Sequence, residues 1–174
     1  RQMCIRDRAL AAEIVGEWQA KAGMAEQLKQ FPNERYADAN EAIAELLRVQ
    51  VSALDGLKKK LGAPMGRQSK GIAQPYQAEA WRSAASLANQ GAALANAELL
   101  WHGSNRDGIQ SLLGEDQADL AKRIDAAYQD TRQRLAALDS PLVELLADEA
   151  GRTALNELYL SLIHISEPTR LLSI

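Results

Sequence analysis

The chain has 174 residues and a formal charge of −3, from 20 Lys and Arg against 23 Asp and Glu. Its single cysteine excludes an internal disulfide framework and a Cys-cluster zinc site. The acidic balance excludes a basic face of the kind nucleic-acid phosphates select, and no run of apolar residues is long enough to span a membrane.

The first stretch, Arg1-Gln2-Met3-Cys4-Ile5-Arg6-Asp7-Arg8, resembles translated adapter DNA from transposase-made sequencing libraries. So does the tail that begins Leu160-Ser161-Leu162-Ile163-His164-Ile165-Ser166. The string AGATGTGTATAAGAGACAG encodes the core of the first. Its reverse complement, CTGTCTCTTATACACATCT, encodes the second. Two unrelated protein termini have no reason to share one inverted DNA element. Residues 1–8 and 160–174 are therefore set aside before fold reasoning, as processing scars are, and are expected to pack poorly. Without Arg1, Arg6, Arg8 and Arg170, and without Asp7 and Glu167, residues 9–159 hold 16 basic and 21 acidic residues, a charge of −5. No cysteine remains in them, and one histidine does, His102.

A first helix is expected from near Ala9 to Lys21, with Leu10, Ile14, Val15 and Trp18 on one face. Gly23 and Phe31-Pro32-Asn33 break it, with a short separate helix between Gly23 and Lys29. A second long helix starts near Asp38, its N-cap, with Glu41 as capping-box partner. Ile43, Leu47, Leu54, Leu57 and Leu61 form its buried stripe. Lys58, Lys59 and Lys60 sit in its last turn, where cations suit the helix dipole better than they make an anion site. Gly62 and Pro64 end it, and residues 62–75 read as a long loop.

A third long helix is expected from soon after Pro75 to His102. Its face of Trp81, Ala84, Ala88, Gly91, Ala95 and Leu99 is mostly small, which points to a close crossing and a central position. A short helix near Asp107–Leu113 follows, then a long one capped at Asp116 with the stripe Leu120, Ile124, Ala127, Tyr128, Thr131, Leu135 and Leu138. Ser140-Pro141 breaks the pattern, Leu142 to Ala147 turns briefly, and Asp148 starts a last helix that is still running at Tyr159. No segment alternates as a strand does. The fold class is all-α: an up-and-down four-helix bundle with short accessory helices.

Chemistry-bearing motifs are sparse. His102 ends a helix before Gly103, a place where it caps or packs; as a metal ligand it needs partners that only the fold can supply. His164 and Glu167 have a ligand-pair spacing but lie in the tail set aside above. No phosphate loop or nucleophile elbow occurs. Catalytic residues and metal ligands are accordingly assigned to none. The most unusual stretch is Gln74-Pro75-Tyr76-Gln77-Ala78-Glu79-Ala80-Trp81-Arg82-Ser83. It is either a helix start whose Trp81 anchors the core, or the wall of a cleft into which Arg82 points.

That stretch, with Leu87 and the later Gly108-Ile109-Gln110-Ser111-Leu112-Leu113, resembles the imelysin family. So do Ala121-Lys122-Arg123-Ile124-Asp125-Ala126-Ala127-Tyr128, Pro141-Leu142 and Gly151-Arg152-Thr153-Ala154-Leu155. Trp18, Tyr36-Ala37-Asp38-Ala39 and Ile43 extend the likeness forward, so that it covers residues 9–159. The resemblance implies two helical bundles in tandem, this one the second, with the missing N-terminal bundle as its partner. It implies an exported protein, periplasmic or anchored to the outer membrane, linked to bacterial iron uptake and acting as a binding module for iron or an iron complex. Family members are also classed as metallopeptidases, which makes catalysis with iron or another divalent metal in the intact protein the alternative. A metal-independent interaction bundle is a third reading. The family hallmark Gly-x-His-x-x-Glu is absent: His102 is followed by Gly-Ser-Asn, and Leu162 precedes His164 by two positions. Trp81, Arg82 and Ser83 match the family pattern and are the candidates for the side of a ligand-binding or inter-domain cleft.

Overall fold

The computed structural model describes residues 2–172, with side chains from Arg6 onward. Arg1, Ser173 and Ile174, which belong to the two end segments, lie outside the described residues. The helices are α1 (Gln2–Gln19), α2 (Met24–Gln27), α3 (Ala39–Gly62), α4 (Ser86–His102), α5 (Ala118–Ala136), α6 (Leu142–Leu145) and α7 (Glu149–Leu171). Among the described residues there is no strand, and the expected all-α class holds. The chain forms two compact units, residues 1–46 and residues 47–174.

In the first unit, α1 packs on α2. The apolar face read for α1 is helical but uncovered: Leu10, Ile14, Val15 and Trp18 are each about half exposed. The four-residue α2 is too short to cover four turns of helix. The start of α3 follows the sequence expectation. Asp38 Oδ1 accepts from the backbone N–H of Asn40 and Glu41, at 2.8 and 3.0 Å. Glu41 Oε2 accepts in return from the Ala37 N–H at 2.8 Å, so orphan amide donors at the helix start find acceptors.

In the second unit, the remainder of α3 joins α4, α5 and α7. Trp101 meets Asp125 while Glu98 meets Arg132, so α4 and α5 run antiparallel. Arg134 pairs with Glu157, while Arg123 and Ala127 share a cleft wall with Glu167 and Pro168; α5 and α7 are antiparallel too. Lys58 reaches Ser166 and Asp55 reaches Arg170, so α7 also opposes α3. The result is the expected up-and-down arrangement of four long helices. Leu54, Leu61, Leu94, Trp101, Ile124, Tyr128, Leu142, Leu155, Leu158 and Ile165 are fully buried in it.

Three expectations change. First, α4 begins at Ser86, not soon after Pro75; two short 3-10 turns, Pro75–Gln77 and Trp81–Ser83, fill the interval. Second, the small-residue face of α4 is not its core face. Ala84, Ala88, Ala95 and Leu99 are exposed, while Ser86, Gln90, Leu94, Ala97 and Trp101 are buried. Leu94 and Trp101 remove more apolar surface from water than the three alanines of the small face can, and that burial sets the rotation of the helix. Gly91 still marks a close approach, since a Cβ there would stand 3.3 Å from Leu135 Cδ2. Third, residues 160–172 do not pack poorly. Leu162 and Ile165 continue the stripe of Leu155 and Leu158 into the core at three- and four-residue steps, and Ser161, Ser166, Pro168 and Thr169 are buried beside them.

The loop at 62–75 is held down rather than loose. Gln74 donates to Pro64 O at 2.7 Å, Gly66 and Gly71 turn the chain at φ near 80°, and the Arg67 guanidinium lies 3.7 Å from the Tyr159 ring centroid.

Candidate functional site

The Trp81-Arg82-Ser83 segment sits on a turn. Ala80 and Ala84, on either side of it, have φ of 53° and 55°, the left-handed region that costs a residue with a Cβ about 1 kcal/mol or more. The turn is fastened by Ser83 Oγ donating to Ala80 O at 3.1 Å and by Ser86 Oγ donating to Glu79 O. Glu79 in turn pairs with Lys60 of α3 at 2.8 Å. The Tyr76 and Trp81 rings meet edge to face at 4.9 Å, and the Arg82 guanidinium stacks 4.3 Å from the Trp81 centroid. Trp81 is half-buried; Arg82 and Ser83 are exposed. The segment is therefore neither a helix start nor a buried core anchor. It offers solvent an aromatic pair capped by a cation.

A second cluster assembles where α4 ends. Gly103, at φ 71°, turns the chain, and Gly108 comes back so close that its N–H donates to His102 O at 3.0 Å. A Cβ on Gly108 would lie 2.3 Å from Gly103 N and 2.4 Å from Trp101 O, so only glycine allows the return. The 3-10 turn Ile109–Leu112 then buries Ile109 and aims Gln110 at α5. Asp125 of α5 accepts at Oδ1 from the Trp101 indole N–H and at Oδ2 from the Gln110 amide, both at 2.7 Å. Gln110 Oε1 lies 2.9 Å from His102 Nδ1. With its nitrogen committed to a carboxylate, Gln110 presents an acceptor to the ring, so in the neutral imidazole Nδ1 carries the proton and Nε2 the lone pair. Nε2 lies 3.9 Å from Asp125 Oδ1. His102, Arg106, Gln110 and Asp125 line a cleft of about 380 Å³.

His164 and Glu167 of α7 line a wider cleft of about 610 Å³ with Arg123 and Asp130. Asp130 is bound at 2.8 Å by Arg134. Among the described residues, no group of three or more His, Cys, Asp or Glu side chains is gathered so as to hold a metal ion.

The sequence profile of the imelysin family matches residues 8–168. The chain belongs to the imelysin family. No curated protein and no solved structure matches it. The matched span takes in all of 9–159 and runs on into the tail. It includes both clusters, Trp81 to Ser83 and His102 with Gln110 and Asp125. Neither histidine of this imelysin chain stands in the hallmark Gly-x-His-x-x-Glu. Gln110 and Asp125 lie in stretches that carried the imelysin resemblance but were not singled out as site residues. Their meeting depends on the register of α4 against α5, which local spacing does not encode.

Proposed function

We propose that residues 9–159 are the second bundle of an exported imelysin-like protein that binds iron or an iron complex during bacterial iron uptake. The observation that carries this reading is the family match over residues 8–168. The alternative, a metallopeptidase of the same architecture, requires a complete ligand set with one open coordination position. The residues that support a binding role are the exposed Trp81, Arg82 and Ser83, on the surface we assign to the cleft shared with the other bundle. Export places the protein in the periplasm or at the outer membrane. No described helix is long and apolar enough to cross a membrane.

The test is titration calorimetry of the intact two-bundle protein with ferric iron, ferrous iron and haem. A saturable heat at one stoichiometric equivalent is expected for at least one of them. No binding of any of the three would overturn the reading. Metal-dependent proteolysis, lost when the hallmark histidine is replaced by alanine, would favour the metallopeptidase instead.

A further inference from the structure

We infer that His102 and Asp125 form a binding site for a divalent first-row transition metal, with His102 Nε2 and Asp125 Oδ1 as the two protein ligands and water in the remaining positions. Three features of the structure carry it. The first is the tautomer. Gln110 Oε1, 2.9 Å from Nδ1, draws the ring proton to that side and leaves the lone pair on Nε2, the nitrogen nearer Asp125 Oδ1. Imidazoles that ligate metals are held in this way, by a donor bond from the other ring nitrogen.

The second is the carboxylate. Each Asp125 oxygen accepts one bond, from Trp101 and Gln110 at 2.7 Å, and each oxygen has two acceptor positions. Trp101 is fully buried and the carboxylate is thus oriented by a rigid donor while one lone pair per oxygen stays available. The third is separation. At 3.9 Å, Nε2 and Oδ1 are too far apart to be hydrogen-bonded to each other. Ligand bonds of about 2.0–2.2 Å at a tetrahedral angle would set them roughly 3.4 Å apart. The difference is within reach of a small rotation of His102, whose side chain is 36% exposed.

Imidazole with one carboxylate suits zinc, copper, nickel or ferrous iron rather than calcium or magnesium, which take oxygen ligands alone. Two protein ligands make an exchangeable site, not a structural one. Arg106 lines the same cleft and makes no ion pair among the described residues. Its charge opposes a bare cation and favours one that carries an anionic co-ligand. The inference uses this chain's geometry alone and stands apart from the iron-uptake reading.

The test is a zinc titration of the 174-residue chain followed by long-range proton–nitrogen NMR of its two imidazoles. His164 is the internal reference. We expect His102 Nε2 to shift at zinc concentrations at least tenfold below those that shift His164. Asp125→Asn should raise the His102 midpoint at least tenfold. His102→Gln, which leaves the Trp101–Asp125 bond untouched, should remove the tighter binding event in calorimetry without changing the far-UV circular dichroism. Parallel responses of the two histidines, a midpoint unmoved by Asp125→Asn, or tight zinc binding that survives in His102→Gln would each overturn the site. Because zinc is the probe, failure here leaves the iron-uptake reading standing, and failure of iron to bind the intact protein leaves this site standing.

Discussion

Tyr128 shows what a single buried polar group does in this core. Its ring is fully buried, and its hydroxyl accepts from Gln50 Nε2 at 2.9 Å while the same amide donates to Ala97 O at 3.2 Å. Three helices are tied through one side chain. Tyr128→Phe keeps the ring and removes one acceptor, so a loss of about 1 kcal/mol in urea denaturation is expected. Burial pushes the Tyr128 phenol above its ordinary value of 10.0, with the Gln50 bond opposing and Glu98 adding to it. The folded state therefore favours the neutral phenol. Its contribution is complete below pH 10 and is lost as the pH rises beyond that, and Tyr128→Phe should flatten this alkaline fall. At the acid end, burial raises the Asp55 carboxyl, but Lys58 and Arg170 outweigh it and hold it below 3.8. Stability from that group is present above 3.8 and is lost as the pH falls through the lowered value; Asp55→Asn should shrink the acid loss, measured by the same denaturation against pH.

Single residues were legible where their role is local. Asp38, Glu41 and Asp148 cap helices as their spacing implies; Asp148 Oδ1 accepts from the Gly151 N–H at 2.7 Å. The sequence places His102 at a helix end, where it caps or packs, and makes ligation depend on partners from elsewhere in the fold. The fold brings Gln110 and Asp125 to it, from a turn and a helix that no local pattern could align with it. The glycine return that brings Gln110 into place gives a sharp check. Gly108→Ala should cost about 2 kcal/mol or more, since the contacted atoms are backbone and cannot yield cheaply. The same substitution should also abolish the His102–Gln110 bond, visible as a change of imidazole tautomer by NMR.

At the scale of elements, α4 separates pattern from packing. Its hydropathy offers two faces, one of small residues and one with Leu94 and Trp101. The small face is the more regular string, and the structure leaves it in solvent. Leu94→Ala should therefore cost about 2–5 kcal/mol, while Ala88→Ser and Ala95→Ser should fall within about 0.5 kcal/mol of the parent in thermal melts. α1 teaches the complementary lesson. Its periodicity is real, yet Leu10, Ile14, Val15 and Trp18 remain about half exposed. Periodicity reports that a helix has an apolar face; it does not report that anything covers it. α3 and α7 are readable because length, caps and stripes agree, which is the consistency that makes a sequence specify its structure; α5 follows its stripe, but the expected cap at Asp116 fails, since Asp116 stands in a 3-10 turn and the helix begins after Gln117 with no side-chain cap.

For the whole molecule, the question is what α7 is made of. Its buried stripe runs without a break from Leu155 and Leu158 into Leu162 and Ile165. Lys58, bonded to Ser166 at 2.9 Å, and Asp55, paired with Arg170 at 2.8 Å, fasten the same end to α3. Packing of this kind does not report where a string came from. Any segment with apolar residues at three- and four-residue steps fills an open groove along a bundle. The segment also carries features that a groove does not select: Pro168 inside the helix, and the buried hydroxyls of Ser161, Ser166 and Thr169. Proline in a helix interior and hydroxyls turned back on their own helix both weaken it. Our proposal is that residues 9–159 are the second bundle of a longer imelysin-like protein and that 1–8 and 160–174 are translated adapter DNA. The measurement that tests this most directly is transposase-free long-read sequencing of the locus from source DNA. The account predicts that both end strings vanish and that the reading frame continues upstream into a helical bundle carrying Gly-x-His-x-x-Glu. If the codons for Cys4, His164 and Glu167 persist in genomic DNA with the same neighbours, the account is contradicted, and the His164–Glu167 cleft becomes part of the native protein.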